Sequence, residues 1–244
     1  MEVSFDPYGE PRVLEALNTL YGVNVQRVNV IFCGLASVPE ALTGMGSVTS
    51  LMLDGNHIKS GWEQLRPLHR LRELGLQSCE LTWVPEALAG MGSMTSLRLS
   101  WNPIERGLER LSSLHLLREL ALQHCSLTEM PEALAGMGSM TSLELGWNDI
   151  ERSWERLSSP HQLRKLGLGH CNLTELPEVL LGMESMTSLD LGGNPIERSW
   201  EHLGARLRQL PRLQALRVGK NNVAEALNAL THLKSLAILP FCID

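Results

Sequence analysis

The sequence predicts a repeat protein, because one pattern recurs along nearly the whole chain of 244 residues. The pattern LxxLxLxx(C/N)xL begins ten times, and the first seven intervals between its starts are 23 residues each. Two versions alternate, so residues 76–93, 122–139 and 168–185 are near copies that lie 46 residues apart. Recurrence at a fixed period of about 20 to 50 residues is typical of repeat architectures. The starts are Val25, Val48, Leu71, Met94, Leu117, Met140, Leu163, Met186, Leu213 and Leu233.

Leucines in this spacing resemble the leucine-rich repeat proteins, and the resemblance covers residues 25–239. It implies an α/β solenoid: a curved horseshoe with a parallel sheet on its concave face and helices or short turns on its convex face. The alternation of Cys and Asn repeats is similar to that of the ribonuclease-inhibitor subfamily, although the repeats here are shorter. We expect a single domain over 1–244, with a cap helix in 1–24, eight repeats in 25–212 and irregular C-terminal repeats with a cap in 213–244.

The strand of each repeat follows from the LxL alternation. Leu74 and Leu76 are two residues apart, so they share one face of a strand and point inward. Strands of neighbouring repeats lie about 4.8 Å apart, which stacks these leucines into a continuous core. The ninth residue ends the strand. Asparagine there can bond backbone groups that the turn leaves unpaired, whereas cysteine does so more weakly but fits a tight apolar site.

The segments after the strands differ between the two versions. In the Cys repeats a proline begins a short helical turn, and a glycine ends it. In the Asn repeats, Ile104, Leu108 and Leu111 have the i, i+4, i+7 spacing of one helix face. The prolines are Pro39, Pro85, Pro131 and Pro177, the glycines are Gly90, Gly136 and Gly182, and the same helical spacing recurs at Ile150, Trp154 and Leu157 and at Ile196, Trp200 and Leu203.

The two ends of the array need covers, because a solenoid exposes its core at each terminus. Residues 11–21 predict a capping helix with Val13, Leu14, Leu17 and Leu20 facing inward. At the other end, the 27-residue interval predicts a longer helix over 197–209. An exposed terminal strand is also an edge through which a homodimer can form.

Composition narrows the class of partner and the compartment. The net charge of −6 and the pI near 5.8 argue against nucleic acid or an anionic membrane as the partner. No apolar run approaches the roughly 18 residues that a membrane span needs, and the N-terminus lacks the basic and apolar regions of a signal peptide. The sequence therefore predicts a cytoplasmic protein.

Four of the five cysteines occupy the ninth position of the Cys repeats, namely Cys33, Cys79, Cys125 and Cys171. Two repeats separate successive members, which places their Cα atoms about 10 Å apart, beyond disulfide reach and beyond joint zinc ligation. We expect buried thiols, no metal and no cofactor. For Cys242, an exposed reactive thiol and terminal packing are equally compatible with the sequence.

The differences between copies are concentrated on one side of the predicted sheet. Residues 94–139 and 140–185 are identical at 31 of 46 positions, and 7 of the 15 differences fall on the 10 positions that should face outward from the strands. The helical side is also exposed, yet it is nearly constant. This distribution favours a recognition face on the strands, and neutral drift of exposed positions is the alternative.

The eighth position supplies the candidate anchors of that face. Trp101, His124, Trp147 and His170 follow one another in four successive repeats, about 4.8 Å apart. Flat aromatic side chains bury much area with few rotatable bonds, which suits them to interfaces. The alternative is a row that only packs on itself. Beside the row lie the charged candidates Arg98, Glu144, Lys165 and Asp190, and the glycines at position seven, Gly146, Gly169, Gly192 and Gly219, predict an open shelf along the backbone.

The sequence therefore predicts a non-enzymatic binding module that recognises another protein or peptide on its concave face. No serine or cysteine nucleophile is paired with a base, and His124 and His170 are about 10 Å apart with Trp147 between them. The alternative function is a structural or engineered repeat scaffold without a dedicated ligand, since successive units are so nearly identical.

Overall fold

The protein is described from a computed structural model. The structure describes residues 1–5, 10–20, 22–158, 162–196, 205–207, 209–219 and 237–240. Two compact units divide the chain, Met1–Ala121 and Leu122–Asp244. The predicted organisation as a single repeat domain stays a prediction.

The first unit carries six short parallel strands that pair in chain order. They are β1 (Glu2–Ser4), β2 (Arg27–Asn29), β3 (Ser50–Met52), β4 (Glu73–Gly75), β5 (Ser96–Arg98) and β6 (Glu119–Ala121). Helix α1 (Glu10–Thr19) lies between β1 and β2 in the chain. Four 3₁₀ turns follow later strands, at Glu40–Gly44, Trp62–Leu65, Glu86–Gly90 and Leu108–Ser113.

The second unit continues the same alternation of strand and turn. Its strands pair in parallel and in chain order. They are β7 (Ser142–Glu144), β8 (Lys165–Gly167), β9 (Ser188–Asp190), β10 (Ala215–Val218) and β11 (Ala237–Pro240). Its described 3₁₀ turns are Glu132–Gly136, Trp154–Ser158 and Glu178–Gly182.

The leucine frame predicted the strands and the core of both units. From β2 to β10, every strand begins at the third residue of its repeat, and the residue at the fourth position is its buried centre. These central residues are no more than 2% exposed. In the first unit they are Val28, Leu51, Leu74, Leu97 and Leu120, and in the second unit they are Leu143, Leu166, Leu189 and Leu216.

The predicted helices of the Asn repeats are wrong in kind. Ile104 is buried but lies before the turn, which begins at Leu108 and has 3₁₀ geometry. The same holds for Ile150 and the turn that begins at Trp154. A repeat of 23 residues leaves room for one tight turn between its strand and the next, so the apolar residues share the core without sharing a helix. Trp200 and Leu203 lie outside the described residues.

The turns of the Cys repeats agree with the prediction. Each begins directly after its proline, and Pro85 is extended with φ −57° and ψ 138°. The turns of the later Cys repeats end at the predicted glycines, Gly90, Gly136 and Gly182. Proline has no N–H to lose at a helix start, which explains why it suits this place.

The N-terminal end contains a strand that the sequence analysis missed. Strand β1 pairs with β2 in parallel, with Val3 opposite Val28. It lacks the leucine frame and is separated from the frame by helix α1, so periodicity could not reveal it. Helix α1 itself agrees with the prediction through the buried Val13 and Leu17, but Leu14 is 37% exposed, which corrects its predicted inward orientation.

The C-terminal register differs from the predicted frame by two residues. Strand β11 pairs Ile238 with Leu216, where the frame that starts at Leu233 would place Leu236. Both residues have the same parity, so the alternation of faces is kept. Most of the predicted helix over 197–209, together with Cys242, lies outside the described residues, and a homodimer through a terminal strand stays a prediction.

The buried asparagines tie each Asn repeat to the Cys repeat before it. The Oδ1 atom of Asn56 accepts hydrogen bonds from the backbone N–H groups of Cys33 and Leu35, both at 3.0 Å. Its Nδ2 atom donates to the carbonyls of Val30 at 2.6 Å and Leu53 at 2.8 Å. The equivalent bonds recur at Asn102, Asn148 and Asn194. These bonds confirm the predicted role of asparagine at this position.

A second set of contacts distinguishes the two kinds of junction between repeats. Isolated parallel bridges join Ser37 to Ser60, Trp83 to Arg106 and Glu129 to Arg152, each time from a Cys repeat to the Asn repeat that follows. At the middle bridge the Arg106 guanidinium lies 5.8 Å from the ring centroid of the half-buried Trp83. A Cys repeat and its following Asn repeat thus form one structural pair, consistent with duplication of the pair as a unit.

Candidate functional site

The aromatic row of the second unit is a continuous stack. His124, Trp147 and His170 occupy the eighth position of three successive repeats. The ring centroids of His124 and Trp147 are 5.8 Å apart, those of Trp147 and His170 are 3.8 Å apart, and both pairs are inclined by 13°. Trp147 is nevertheless 47% exposed. The row therefore packs on itself, as one of the two alternative interpretations predicted, and the indole of Trp147 is still partly exposed to solvent.

Backbone bonds on both sides of Trp147 hold this stack in place. The Trp147 N–H donates to the carbonyl of Gly169 in the next repeat at 2.8 Å. The neighbouring Asn148 accepts from the N–H groups of Cys125 and Leu127 in the preceding repeat, each at 3.0 Å. The main chain that carries the indole is thus fixed from two directions, which is the pre-organisation that a binding anchor needs.

The backbone conformation of these residues was not predicted from the sequence. Every described non-glycine residue at the eighth position has a positive φ between 52° and 62°. These residues are Phe32, Ser78, Trp101, His124, Trp147 and His170. The left-handed region is unfavourable for residues with a Cβ by about 1–2 kcal/mol, and glycine adopts it without that penalty. Gly55 and Gly193 occupy the same position with the same conformation. Glycine at the eighth position of two repeats was the signal in the sequence for a left-handed backbone there.

The first unit has aromatic residues of the same kind at its own strand ends. Trp101 is 55% exposed, and Phe32 is 49% exposed. The Phe32 ring lies over Gly55, so that a Cβ built on this glycine would overlap it. Arg98 is exposed at the end of β5. Trp101 and Arg98 therefore have the exposure that the sequence analysis expected of contact residues.

The predicted glycine shelf is wrong. Gly219, the fourth glycine of this set, is half-buried. Gly146, Gly169 and Gly192 are buried. Their carbonyls already accept hydrogen bonds from the N–H groups of the aromatic row, and a Cβ on Gly146 would lie 2.9 Å from the Gly169 carbonyl oxygen. The glycines are needed because successive backbones approach one another here, which leaves no open surface for a partner.

The charged candidates of the second unit are arranged around the fifth position of the repeats. Strand pairing places Glu144 beside Gly167, Gly167 beside Asp190, and Asp190 beside Arg217. The Glu144 carboxylate lies over Gly167, where a Cβ would overlap it. Burial raises the pKa of this carboxyl group, and the negative charge of Asp190 raises it further, against smaller opposite effects of Arg217 and Lys165.

Asp190 and Lys165 have different surroundings. Asp190 accepts a hydrogen bond from the Gly192 N–H at 2.9 Å, and its carboxylate lies 3.3 Å from the Arg217 guanidinium. Lys165 is exposed at the start of β8. Arg217 was not among the predicted residues. It occupies the fifth position of the repeat that starts at Leu213, the same position as Arg98, Glu144 and Asp190, and that shared position is the signal for it in the sequence.

The four cysteines at the ninth position of the Cys repeats are buried, as predicted, and none of them forms a disulfide. The Cys79 thiol donates to the Leu53 carbonyl at 3.3 Å, and the Cys171 thiol donates to the Leu145 carbonyl at 3.3 Å. Burial is the main cause that raises the pKa of each of these two thiols to about 11. Both therefore stay protonated near neutral pH and are poor nucleophiles.

Within the described ranges, no group of three or more His, Cys, Asp or Glu residues is arranged to hold a metal ion. In the same part of the chain, no helix combines the length and the apolar character needed to cross a bilayer.

The solved structures that resemble this protein contain leucine-rich repeats. An internalin (inlF) from Listeria monocytogenes matches with a TM-score of 0.73 and 21% identity, over 93% of this chain and 65% of that one. A leucine-rich repeat protein from Leptospira interrogans matches with a TM-score of 0.66 and 17% identity, over 88% of this chain and 59% of that one. TLR13 in complex with ssRNA13 matches with a TM-score of 0.70 and 23% identity, over 84% of this chain and 30% of that one.

This chain therefore corresponds to less than two thirds of the length of each of these proteins. No family model matches the sequence, and no curated protein matches it. Likeness at these identities establishes the architecture, and it agrees with the repeat frame, the parallel strands and the buried asparagines. The chain thus has the leucine-rich repeat fold.

Proposed function

We propose that this protein is a binding module that holds another protein or a peptide on the strand side of its repeats. In the second unit the contact residues are His124, Glu144, Trp147, Lys165, His170 and Asp190, and in the first unit they are Arg98 and Trp101. The observation that carries the proposal is the exposed indole of Trp147 on a backbone fixed at φ 60°.

The conformation of Trp147 supports a role beyond folding. Gly55 and Gly193 show that glycine meets the backbone requirement at this position without strain. A tryptophan here is strained by about 1–2 kcal/mol relative to glycine and remains 47% exposed. Side chains that are kept in unfavourable conformations at exposed places concentrate at functional sites. Large aromatic residues are also the most frequent anchors of protein interfaces.

Protein or peptide is the partner class that the charge favours. The net charge of −6 opposes the neutralisation of phosphates on which nucleic acid binding depends. One of the similar structures, TLR13, is a complex with an RNA, so we propose this preference for the present chain on its own charge and not on that resemblance. We likewise propose that the protein is not an enzyme, because the raised pKa values of Cys79 and Cys171 disfavour nucleophilic catalysis by either thiol.

The competing function is a repeat scaffold without a dedicated ligand. The contact of Trp147 with His170 supports it, because a row that stacks on itself shields its own backbone. The two functions predict different consequences for loss of the indole. A scaffold loses stability and nothing else, whereas a binding module loses affinity for a partner.

The test compares the wild-type protein with Trp147→Gly in quantitative affinity capture, followed by titration with the purified partner. Glycine suits the left-handed backbone, so this variant is expected to fold, which circular dichroism and thermal unfolding will check. The matched control is Leu116→Ala, which removes a 54% exposed apolar side chain outside the strands. We expect Trp147→Gly to weaken binding by about 2 kcal/mol or more, as for an interface hot spot, and Leu116→Ala to leave it unchanged.

A partner bound with equal affinity by wild type and a folded Trp147→Gly variant would contradict the proposed site. The absence of any partner that depends on the strand side would favour the scaffold. We also propose a cytoplasmic location, which the buried reduced thiols suit. Recovery of the native protein in a secreted fraction would contradict that part of the proposal.

A further inference from the structure

On the strand side of the second unit, the Glu144 carboxylate has no ion-pair partner among the residues that the structure describes. Glu144 is half-buried over Gly167. Among the described residues, its carboxylate forms no hydrogen bond and no ion pair. The neighbouring Asp190, in contrast, has both the Gly192 N–H and the Arg217 guanidinium as partners.

A comparison within the protein shows that a carboxylate in a similar place can be satisfied. In the first unit the Asp54 carboxylate lies against Gly75, where a Cβ would be 2.7 Å from its Oδ2 atom. Its Oδ1 atom accepts a hydrogen bond from the Gln77 N–H at 2.6 Å. Glu144 has the same kind of glycine beneath it but no such donor within the described residues. A partly buried charge without a donor is unfavourable, and a ligand that supplies the donor removes that penalty.

Gly167 creates the space in which this carboxylate lies. Every side chain other than hydrogen at that position would overlap Glu144. On the far side of the glycine, Asp190 contributes a second negative charge, which is one cause of the raised pKa of Glu144. On the same repeat as Glu144, three residues further along the chain, Trp147 presents its exposed indole.

We propose that the Glu144 carboxylate over Gly167, with Asp190 on the far side of this glycine, receives one basic side chain, arginine or lysine, of a protein segment that packs its apolar part on Trp147. This inference rests on the proposed function, because it names the chemistry of the partner at the same face. The basic group donates to the Glu144 carboxylate, and an arginine gains further from its planar fork of donors.

Two cations of the protein do not fill this role. Arg217 is engaged with Asp190 at 3.3 Å. Lys165 is exposed and forms no ion pair with Glu144 among the described contacts. Its attraction is also the smallest of the causes that act on the pKa of Glu144. An acidic partner would meet the opposite situation, because it would add a third negative charge beside Glu144 and Asp190.

The experiment selects binders to the wild-type protein from a display library of short unstructured peptide segments. Selected segments are then titrated against wild type, Glu144→Gln, Gly167→Ala and Trp147→Gly. Glu155→Gln is the matched control, because it removes an exposed carboxylate from the same repeat on the turn that begins at Trp154. Each segment is also synthesised with its basic residue replaced by glutamine, which completes a double-mutant cycle with Glu144.

We expect the selected segments to share a basic residue next to an apolar or aromatic one. Glu144→Gln should weaken their binding by about tenfold or more, and it should have no further effect once the basic residue of the segment is replaced. Gly167→Ala should also weaken binding, because it displaces the carboxylate without changing the charge. Glu155→Gln should have no effect.

The outcomes separate the inference from the function on which it rests. Two results would overturn the inference and leave the binding function standing. In the first, the segments need Trp147 but contain no basic residue. In the second, Glu144→Gln lowers the affinity equally for segments with and without their basic residue. Segments that bind the Trp147→Gly variant as tightly as the wild type, or the absence of any selected binder, overturn both.

Discussion

The side-chain amide of Asn102 holds the backbone of the preceding repeat around Cys79. Its Oδ1 atom accepts hydrogen bonds from the N–H groups of Cys79 and Leu81, both at 2.9 Å. Its Nδ2 atom donates to the carbonyls of Leu76 at 2.8 Å and Leu99 at 2.7 Å. One fully buried side chain therefore satisfies four backbone groups that have left the strands.

Replacement of Asn102 by alanine should lower the free energy of unfolding by about 3 kcal/mol or more. The variant leaves several buried backbone donors and acceptors unpaired, and each unpaired group is unfavourable by about 1–3 kcal/mol. Urea unfolding followed by circular dichroism measures this loss.

The matched control is Cys79→Ala at the same position of the neighbouring repeat. The thiol donates only weakly, to the carbonyls of Leu53 at 3.3 Å and Gln77 at 3.4 Å. Its removal should therefore lower the free energy of unfolding by only about 1 kcal/mol, mainly through lost packing. Equal losses for the two variants would show that the asparagine bonds do not hold the repeats together.

Gly107 should tolerate substitution poorly, whereas the equivalent Ser153 should tolerate glycine. Gly107 has a φ of +87°, and a Cβ there would lie 3.0 Å from the Val84 carbonyl oxygen. Gly107→Ala should lower the free energy of unfolding by about 1–2 kcal/mol. Ser153 already has a φ of +66°, so Ser153→Gly relieves backbone strain in the folded protein but also increases the entropy of the unfolded chain. Because these two effects oppose each other, the free energy of unfolding should change by less than about 0.5 kcal/mol.

Thermal and urea unfolding of the two variants test this difference. A Gly107→Ala variant as stable as the wild type would mean that the turn does not require the left-handed conformation. A large loss with Ser153→Gly would mean that the serine side chain itself stabilises its turn.

The buried thiols should make the protein less stable at high pH. Burial raises the pKa of Cys79 and Cys171 from 9.0 to about 11, so the unfolded chain loses these protons before the folded protein does. The free energy of unfolding should therefore decrease as pH rises above 9.0 and should continue to decrease until the folded thiols ionise near pH 11. Unfolding curves across this range, compared with those of a Cys79→Ala/Cys171→Ala variant, isolate the contribution of the thiols. A decrease of the same size in both proteins would assign it to other groups.

The ionised carboxylate of Glu144 should lower the stability of the folded protein, whereas a salt-bridged carboxylate raises it. The pKa of Glu144 is raised above 4.5, first by burial and then by the charge of Asp190, so its ionised form disfavours folding. Glu144→Gln should therefore raise the melting temperature at neutral pH. This gain in melting temperature over the wild type should decrease as pH falls through the pKa of Glu144 in the folded protein. It should be absent below pH 4.5, where Glu144 is protonated in both the folded and the unfolded protein.

Differential scanning calorimetry of both proteins against pH measures this effect, with Glu155→Gln as the control for loss of a charge from the same repeat. Arg217 and Lys165 face Glu144 and oppose the effect of Asp190, and all three are unchanged in the variant. A Glu144→Gln variant that is less stable than the wild type at neutral pH would show that the carboxylate has a stabilising partner.

The sequence determined the repeat frame, the strands from β2 to β10, the buried leucines and the asparagine bonds. Each of these depends on contacts between residues that are alike from one repeat to the next, so a single alignment of the chain with itself reveals them all. The N-terminal strand β1 and the register of β11 escaped because the chain leaves the 23-residue period at its ends.

Only the tertiary structure decided which side chains of the strand face are available to a partner. The sequence placed Trp147, Gly146 and Glu144 on one face, but close approach of successive backbones buries Gly146, whereas the indole of Trp147, on a left-handed backbone, is 47% exposed. Whether Glu144 is neutralised depends on which donors lie within reach across the strands, and Gly167 beside it provides space but no donor. Repetition in a sequence predicts the course of the backbone. The exposure and the charge state of a side chain in one repeat, however, depend on the particular side chains of the two neighbouring repeats.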